Sequence, residues 1–231
     1  MAISYELKEG VARLRLDDGK ANAMNGTLLG ELEECLARAT SDDAAIVIEG
    51  RPGFFSGGLD LKTLPTLDES ALISVLKTFG RVMLGIFDFP GPVVAACTGH
   101  AIAGGSVLLL ACDERIGARG AFRLGLNESQ LGLTLPKFVI EMARASIAPA
   151  ALRRLAVLGD LLDPARALEL GLLHELTEPD LVVRRAIERA TALAAIPRAA
   201  YAGNKRHVHG VMAEFVDREI DGFLTLMASR R

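Results

Sequence analysis

The amino-acid sequence predicts an α/β fold, and three observations indicate it. Short apolar runs at 44–48 and 92–97 have the character of buried strands, and they alternate with longer segments of helical periodicity. Two glycine pairs, at 57–58 and 104–105, each lie between a strand-like run and a helix-like one. The chain has 231 residues, of which 50% are hydrophobic, and that is enough for one domain with a sizeable core.

The first half of the chain predicts a hairpin followed by alternating helices and strands. Residues 3–7 and 11–16 alternate polar and apolar side chains around a glycine-containing turn, which is typical of a hairpin with one exposed face. Asn25 is a helix-capping residue type, and the apolar spacing after it predicts a helix to about Ala39. Further helices are predicted at 69–86 and 105–111.

The second half of the chain predicts mostly helices. Asp163 followed by Pro164 is a helix-start signal, and Gly171 is a helix-stop signal. The predicted helices span 137–146, 150–158, 165–170 and 181–194, and a further helical region begins at about residue 201. We therefore divide the chain into a mixed α/β core at 1–195 and a C-terminal helical region at 196–231.

Composition argues against several classes of partner. The formal net charge of -3 gives no basic field for a nucleic acid, and the longest apolar runs are far shorter than the roughly 20 residues of a membrane span. Cys35, Cys97 and Cys112 lack paired spacing, which favours buried thiols over a metal site. The chain begins with a strand pattern instead of a signal peptide, so we expect a cytoplasmic protein without a membrane or nucleic-acid partner.

The glycine turns are compatible with several kinds of chemistry, most of which the neighbouring residues disfavour. Residues 99–106 nearly match the phosphate-binding loop, but Gly105 occupies the lysine position, and no dinucleotide fingerprint follows either strand. Ser56 and Ser106 are candidate nucleophiles with His100 as the base, yet neither serine lies in a G-x-S-x-G motif. The remaining interpretation is that the two glycine turns, which have no side chains to cover their backbone, supply two N–H donors to one developing oxyanion.

Five segments of the chain carry further motifs in a matching order and spacing, at 55–61, 98–105, 111–113, 125–132 and 163–172. Together they resemble the enoyl-CoA hydratase/isomerase (crotonase) superfamily over nearly the whole chain. The resemblance implies a crotonase-like (ClpP/crotonase) spiral of β-β-α units, with a helical C-terminal region that acts as a lid or in trimerisation. It also implies an acyl-CoA thioester substrate, a homotrimer or dimer of trimers, and neither a metal nor a cofactor besides the coenzyme A of the substrate.

The resemblance also assigns the central residues of a site. The backbone amides of Gly57 and Gly104 would hold the thioester carbonyl oxygen. Glu128 matches one of the two catalytic glutamates of the hydratases, whereas Val107 stands in the place of the other. Valine can neither hold a water molecule nor transfer a proton, so the hydration pathway lacks half of its acid–base pair.

A single carboxylate is sufficient to shift a double bond from C3 to C2 of an enoyl thioester. Residues 125–132 also resemble the monofunctional Δ3,Δ2-enoyl-CoA isomerases more than the hydratases, so we expect an isomerase of fatty-acid β-oxidation with Glu128 as its base. The substrate contacts that the resemblance implies are Gly58, Leu59, Asp60, Leu61 and Asn127. Asp60 could instead cap the helix that follows the first glycine turn, and Asn127 could instead cap a turn. Hydration, acyl-CoA hydrolysis and non-catalytic binding of coenzyme A remain the alternatives.

Overall fold

Two β-sheets form the framework of the protein in this computed structural model, which describes residues 1–209. The larger sheet contains, in spatial order, β1 (Ile3–Lys8), β2 (Val11–Leu16), β3 (Ala45–Glu49), β5 (Val93–Cys97), β7 (Glu114–Ala118) and β9 (Glu175–Thr177). The smaller sheet contains β4 (Gly53–Ser56), β6 (Gly99–Ile102) and β8 (Leu124–Gly125). The hairpin β1–β2 is antiparallel, and all the other neighbouring strands are parallel.

Helices connect and cover these strands. The α-helices within residues 1–209 are α1 (Gly26–Ser41), α2 (Glu69–Phe87), α3 (Gly104–Ala111), α4 (Lys137–Ser146), α5 (Pro149–Leu152), α6 (Pro164–Glu169), α7 (Val182–Ala194) and α8 (Arg198–His209). Asn25 caps α1 by accepting the Leu28 N–H, and Asp163 caps α6 by accepting the Arg166 N–H. Both predicted caps are therefore confirmed.

The chain repeats one strand–strand–helix unit. Strand β3 of the larger sheet is followed by β4 of the smaller sheet and then α2, and the same order recurs in β5, β6 and α3. Strands β7 and β8 begin a third unit. The predicted crotonase-like spiral of β-β-α units is confirmed. Because β4, β6 and β8 are parallel neighbours, the turns that follow them lie at the same edge of the smaller sheet.

The smaller sheet is the part of the fold that the sequence did not predict. Its strands are four, four and two residues long, and glycine or polar residues interrupt their apolar pattern. They are held by pairing between distant segments, which local periodicity does not report. The predicted helix at 150–158 also differs, because only Pro149–Leu152 is α-helical and Arg153–Val157 continues as a π-helical turn.

The central strands of the larger sheet are buried on both faces. Val47 and Val94 pack on one face against Val182 and Ala186 of α7, whereas Ile46, Ile48, Val93 and Ala95 belong to the main core that includes α1, α2 and α3. This two-sided burial explains why β3 and β5 are continuous apolar runs in the sequence.

Helix α8 joins the described part of the C-terminal region to the core. Lys205 Nζ lies 2.8 Å from Asp113 Oδ2 in a largely buried ion pair, and Arg198 Nη1 donates to the Asp43 carbonyl at 3.1 Å. The boundary predicted at residues 195 and 196 falls between α7 and α8. Residues 210–231, to which much of the predicted lid or trimerisation region belongs, lie outside the described residues.

One helix in the described part of the chain, α2, is long and apolar enough to span a membrane by length and composition. Its residues Phe79, Met83 and Ile86 are buried in the core, and α2 packs against α1 and α3. A core helix passes the same test of length and composition.

Candidate active site

An apolar cavity of about 350 Å³ lies where the glycine turns meet the helices. Its walls come from residues 59–65, from α2 and α3, and from residues 128–139. Leucine, valine, proline and phenylalanine side chains make up most of the lining. Of the residues described, Glu128 is the only titratable one on these walls, and Val107 lies on the same surface.

Glu128 opens a short 3₁₀ turn, Glu128–Leu131, that follows β8. The turn is held in place because the Ser129 hydroxyl donates to the Ala156 carbonyl at 2.8 Å and the Leu133 N–H donates to the Glu128 carbonyl at 2.9 Å. The Oε2 atom of Glu128 is buried and has no hydrogen-bond partner within residues 1–209. Burial raises the pKa of this carboxyl because the charged form loses its hydration.

The structure corrects the assignment of Gly57. Its N–H, expected to be an oxyanion donor, donates instead to the carbonyl oxygen of Ala21 at 2.8 Å. The next amide, that of Gly58, donates to Ser56 Oγ at 3.1 Å. Neither N–H is therefore free to bind a carbonyl oxygen.

The free amide of the first turn belongs to Leu59. On either side of it, the Gly58 carbonyl and the Asp60 N–H both bond to Met24, at 2.8 and 3.0 Å. The Gly58 carbonyl and the Leu59 N–H belong to one trans peptide group and point in opposite directions, so the Leu59 N–H points away from Met24. It has no hydrogen bond to any described residue, and a Cβ built on Gly104 would lie 3.2 Å from its nitrogen. The Leu59 amide therefore lies beside the second turn.

The second turn presents its amide by a different route. Ala103 has φ 52° and ψ −123°, an unfavourable conformation for an alanine, and directly after it α3 begins at Gly104. The first N–H groups of a helix lack acceptors within the helix, and the Gly104 amide has no hydrogen bond within residues 1–209. Gly104 also lines the cavity.

The second glycine of each pair allows the two turns to touch. Gly58 has φ +85°, and a Cβ on it would lie 2.8 Å from the Gly104 nitrogen. Gly105 is helical, but a Cβ on it would lie 2.1 Å from the Ser56 carbonyl oxygen. Neither position has room for a side chain, as expected for residues that shape the turns.

The remaining predicted site residues are divided between the cavity and its surroundings. Leu59 and Leu61 line the cavity. Asp60 caps a turn, since its carboxylate accepts the Thr63 hydroxyl at 2.6 Å and the Lys62 N–H at 3.1 Å, and these bonds lower its pKa. Asn127 makes no side-chain cap, and its Oδ1 is buried without a partner among the described residues. Asp60 therefore caps a turn and not the following helix α2, which Asp68 caps by accepting the Ala71 N–H, and the capping alternative for Asn127 is wrong.

The candidate Ser-His-Asp arrangement is absent from the described residues. The hydroxyls of Ser56 and Ser106 donate to backbone carbonyls, at 2.8 and 2.7 Å, and both side chains are fully buried. Nδ1 of His100 accepts the Arg123 N–H at 3.0 Å, and its ring packs against Phe54. The site therefore combines two free backbone N–H groups with one buried carboxylate, which can stabilise an oxyanion and transfer a proton.

Comparisons with known proteins identify the family of the chain. The family described as enoyl-CoA hydratase/isomerase matches residues 6–223. A probable enoyl-CoA hydratase of Bacillus subtilis (strain 168) is 35% identical over 198 residues, which are 84% of this chain and 75% of that protein. The mitochondrial enoyl-CoA delta isomerase 1 of Homo sapiens is 30% identical over 192 residues, which are 81% of this chain and 64% of that protein.

A solved structure extends the likeness to the whole fold. The crystal structure of human mitochondrial delta3-delta2-enoyl-CoA isomerase matches with a TM-score of 0.93 at 26% identity, over 98% of this chain and 92% of that one. The family match, the shared fold and the pairing of two free amides with a buried carboxylate all lead to one conclusion. The chain belongs to the enoyl-CoA hydratase/isomerase (crotonase) family.

Proposed function

We propose that this member of the family is a Δ3,Δ2-enoyl-CoA isomerase, which converts a 3-enoyl-CoA to the 2-trans-enoyl-CoA. One observation carries the proposal: Glu128 is the single carboxylate on the described walls of the cavity, and Val107 stands where a hydratase would need a second one. A double-bond shift needs one group that takes a proton and returns it. Addition of water needs a second group to orient and deprotonate that water.

The reaction begins when the thioester carbonyl oxygen accepts the N–H groups of Leu59 and Gly104. Glu128 then removes a proton from C2, the C–H electron pair forms a C1–C2 double bond, and the carbonyl π electrons move onto the oxygen. The resulting dienolate is stabilised by the two amides, and loss of one such donor typically costs about 3–4 kcal/mol of transition-state stabilisation.

The second half of the reaction returns the same proton to a different carbon of the substrate. The protonated Glu128 donates it to C4, the C3–C4 π electrons form the new C4–H bond, and the double bond moves to C2–C3 as the carbonyl is restored. Atoms and electrons balance without any cofactor beyond the coenzyme A that the substrate carries.

The apolar walls suit this chemistry in two ways. They raise the pKa of Glu128, which makes its carboxylate a stronger base toward a weakly acidic C2 proton. They also exclude the water that would add to the conjugated product or quench the intermediate. The leucine and phenylalanine side chains of α2 and α4 form an apolar surface on which the acyl chain can lie.

The test uses purified protein and a 3-enoyl-CoA of several chain lengths. We expect the conjugated 2-enoyl thioester to accumulate, which its ultraviolet absorbance reports. Incubation with a 2-enoyl-CoA should leave that absorbance unchanged, whereas its loss would show hydration. Release of a free thiol would show hydrolysis, and thioester binding without any turnover would show a binding protein. Each of these last three results, without formation of the conjugated product, would contradict the proposal.

A further inference from the structure

Ser106 is a fully buried serine whose hydroxyl connects two strands of the smaller sheet. Its Oγ donates to the Ala101 carbonyl in β6 at 2.7 Å and accepts the Gly125 N–H in β8 at 2.9 Å. The residue is 0% exposed, so water does not compete for either bond. Through this one group, helix α3 is joined to both strands.

The position of these bonds in the chain connects the two halves of the proposed site. Ser106 lies two residues after Gly104, a proposed oxyanion donor, and Gly125 lies three residues before Glu128, the proposed base. A second bond runs from the Ala103 N–H to the Gly125 carbonyl at 2.9 Å. Both backbone polar groups of Gly125 are thus bonded to the turn that bears the donor.

The segment that carries Glu128 is fixed from its other side as well. Leu124 exchanges two backbone hydrogen bonds with Leu162, at 2.9 and 2.7 Å. A Cβ on Gly125 would lie 2.2 Å from the Asp160 carbonyl oxygen, so the two backbones are in direct contact. The segment therefore lies between residues 160–162 and the Ser106 hydroxyl. Removal of that hydroxyl would leave the buried Gly125 N–H without its acceptor, while the Gly125 carbonyl keeps its bond to the Ala103 N–H.

We propose that Ser106 is a positioning residue that sets the separation between the Gly104 amide and the Glu128 carboxylate. It acts through Gly125, and the inference rests on the proposed function for the roles of Gly104 and Glu128. The base must reach both C2 and C4 while the carbonyl oxygen stays on its donors. Such a reaction tolerates little displacement, since a misplacement of about 1 Å can cost about 100-fold in rate.

The experiment compares Ser106→Ala with the unchanged protein in two assays. One follows conversion of a 3-enoyl-CoA, and the other follows exchange of the C2 protons of a saturated acyl-CoA with deuterated water. We expect kcat and the exchange rate of the variant to fall at least about tenfold, with KM changed less than about twofold, because binding surfaces are intact while base and donor are displaced.

The exchange assay separates this inference from the proposed function. If the unchanged protein exchanges C2 protons but shifts no double bond, the isomerase proposal fails and the exchange rates still decide the role of Ser106. If it does neither, both proposals are overturned.

Ser146→Ala is the matched control. The Ser146 hydroxyl donates to the Leu110 and Met142 carbonyls, at 3.0 and 2.8 Å, at the far end of α3. We expect a fall in Tm of a few degrees with no change in kcat. If Ser106→Ala behaves in the same way, with a lower Tm and an unchanged kcat, its role is structural only and the inference is overturned.

A second variant keeps the inference testable if Ser106→Ala does not fold. Ser106→Cys retains a group of similar size that is a weaker donor and acceptor, with longer bonds. We expect its kcat to lie below that of the unchanged protein, with KM unchanged. A folded Ser106→Cys protein with full kcat would refute the positioning role.

Discussion

The two glycine turns have similar sequences but present their amides in different ways. In the first turn, the Gly57 amide is bonded to Ala21 and the Gly58 amide to Ser56, so the free N–H comes from Leu59. In the second turn, the free N–H belongs to Gly104, the first glycine of its pair. A repeated sequence motif therefore did not produce a repeated local geometry.

The two turns differ in which amide is free because different interactions hold them. The first turn is bonded on one side to residues 21–24, through the Gly57 N–H, the Gly58 carbonyl and the Asp60 N–H, and this leaves the Leu59 N–H on the other side. The second turn is a helix start, where the amides are free because a helix cannot satisfy its own first N–H groups. The first donor thus depends on a distant segment of chain, whereas the second is a property of α3.

The largest effect is expected from Glu128→Gln, which removes the base that both turns are proposed to serve. The amide cannot accept the C2 proton, while the shape of the side chain is kept, so kcat should fall about 100- to 10,000-fold. Initial rates and titration with a saturated acyl-CoA would measure turnover and binding separately. The control, Glu141→Gln, replaces a glutamate that pairs with Arg144 and should change neither. A fall of less than tenfold in Glu128→Gln would contradict the role of the base.

The next largest effect distinguishes the two glycines of the first turn. A Cβ on Gly58 would lie 2.8 Å from the Gly104 nitrogen at a φ of +85°, whereas one on Gly57 would lie 3.5 Å from Ala21, an ordinary contact. Gly58→Ala should therefore push the turns apart and lower kcat by about 100-fold. Gly57→Ala should retain kcat within about twofold, since its N–H bond to Ala21 is kept. Equal losses in the two variants would show that the contact between the turns is unimportant.

A smaller effect is expected in the pH dependence of kcat/KM. Proton abstraction requires the Glu128 carboxylate, so the rate rises as pH rises through its pKa, which burial places above the usual glutamate value. Val107→Thr puts a hydroxyl on the cavity wall, which favours the charged form. The acid limb of the plot of kcat/KM against pH should therefore move to lower pH, by up to about one unit. Val94→Thr, on the α7 side of the sheet, should leave the limb in place. A limb that does not move in Val107→Thr would argue against desolvation as the cause.

The same pKa shift has a consequence for stability. A carboxyl whose pKa is raised in the folded state binds its proton more tightly there, so its stabilising contribution is present below the unfolded-state pKa and is lost as pH rises through the folded-state pKa. A glutamine at this position does not titrate, so the Glu128→Gln variant does not lose this stabilising contribution as pH rises. Its Tm relative to the unchanged protein should therefore increase between pH 4 and pH 8, which thermal unfolding at several pH values would measure.

The smallest effect concerns the strain of the second turn. Ala103 has φ 52°, where an alanine is strained and a glycine is not. Ala103→Gly should raise the free energy of unfolding by up to about 1 kcal/mol, because relief of strain exceeds the entropic cost of the added glycine. Ala37→Gly, at an exposed position of α1, should instead lower it by about 1 kcal/mol. Denaturant unfolding would measure the free energy of unfolding of both variants. A lower free energy of unfolding for Ala103→Gly would show that the conformation of Ala103 carries no strain.

The predictable parts of the fold are those that local sequence encodes. The larger sheet contains β3 and β5, whose apolar runs are long enough to be recognised, and Asn25 and Asp163 cap helices as their residue types indicate. The smaller sheet was missed because β8 has only two residues and its pairing joins segments more than twenty residues apart in the chain. Leu59 was expected to be a substrate contact. That its amide is free became visible only from the hydrogen bonds that its neighbours, the Gly58 carbonyl and the Asp60 N–H, make with Met24.

The sequence by itself determined the chemistry available to the cavity: a glutamate at 128, a valine at 107 and glycines where two turns can meet. These are properties of residue type, and they hold whatever the chain does around them. Tertiary structure decided which amides remain free and how Ser106 joins the donor turn to the base segment. Which amides remain free depends on which distant carbonyl groups lie within hydrogen-bonding distance of each N–H in the folded protein. A local sequence pattern carries no information about such distant partners.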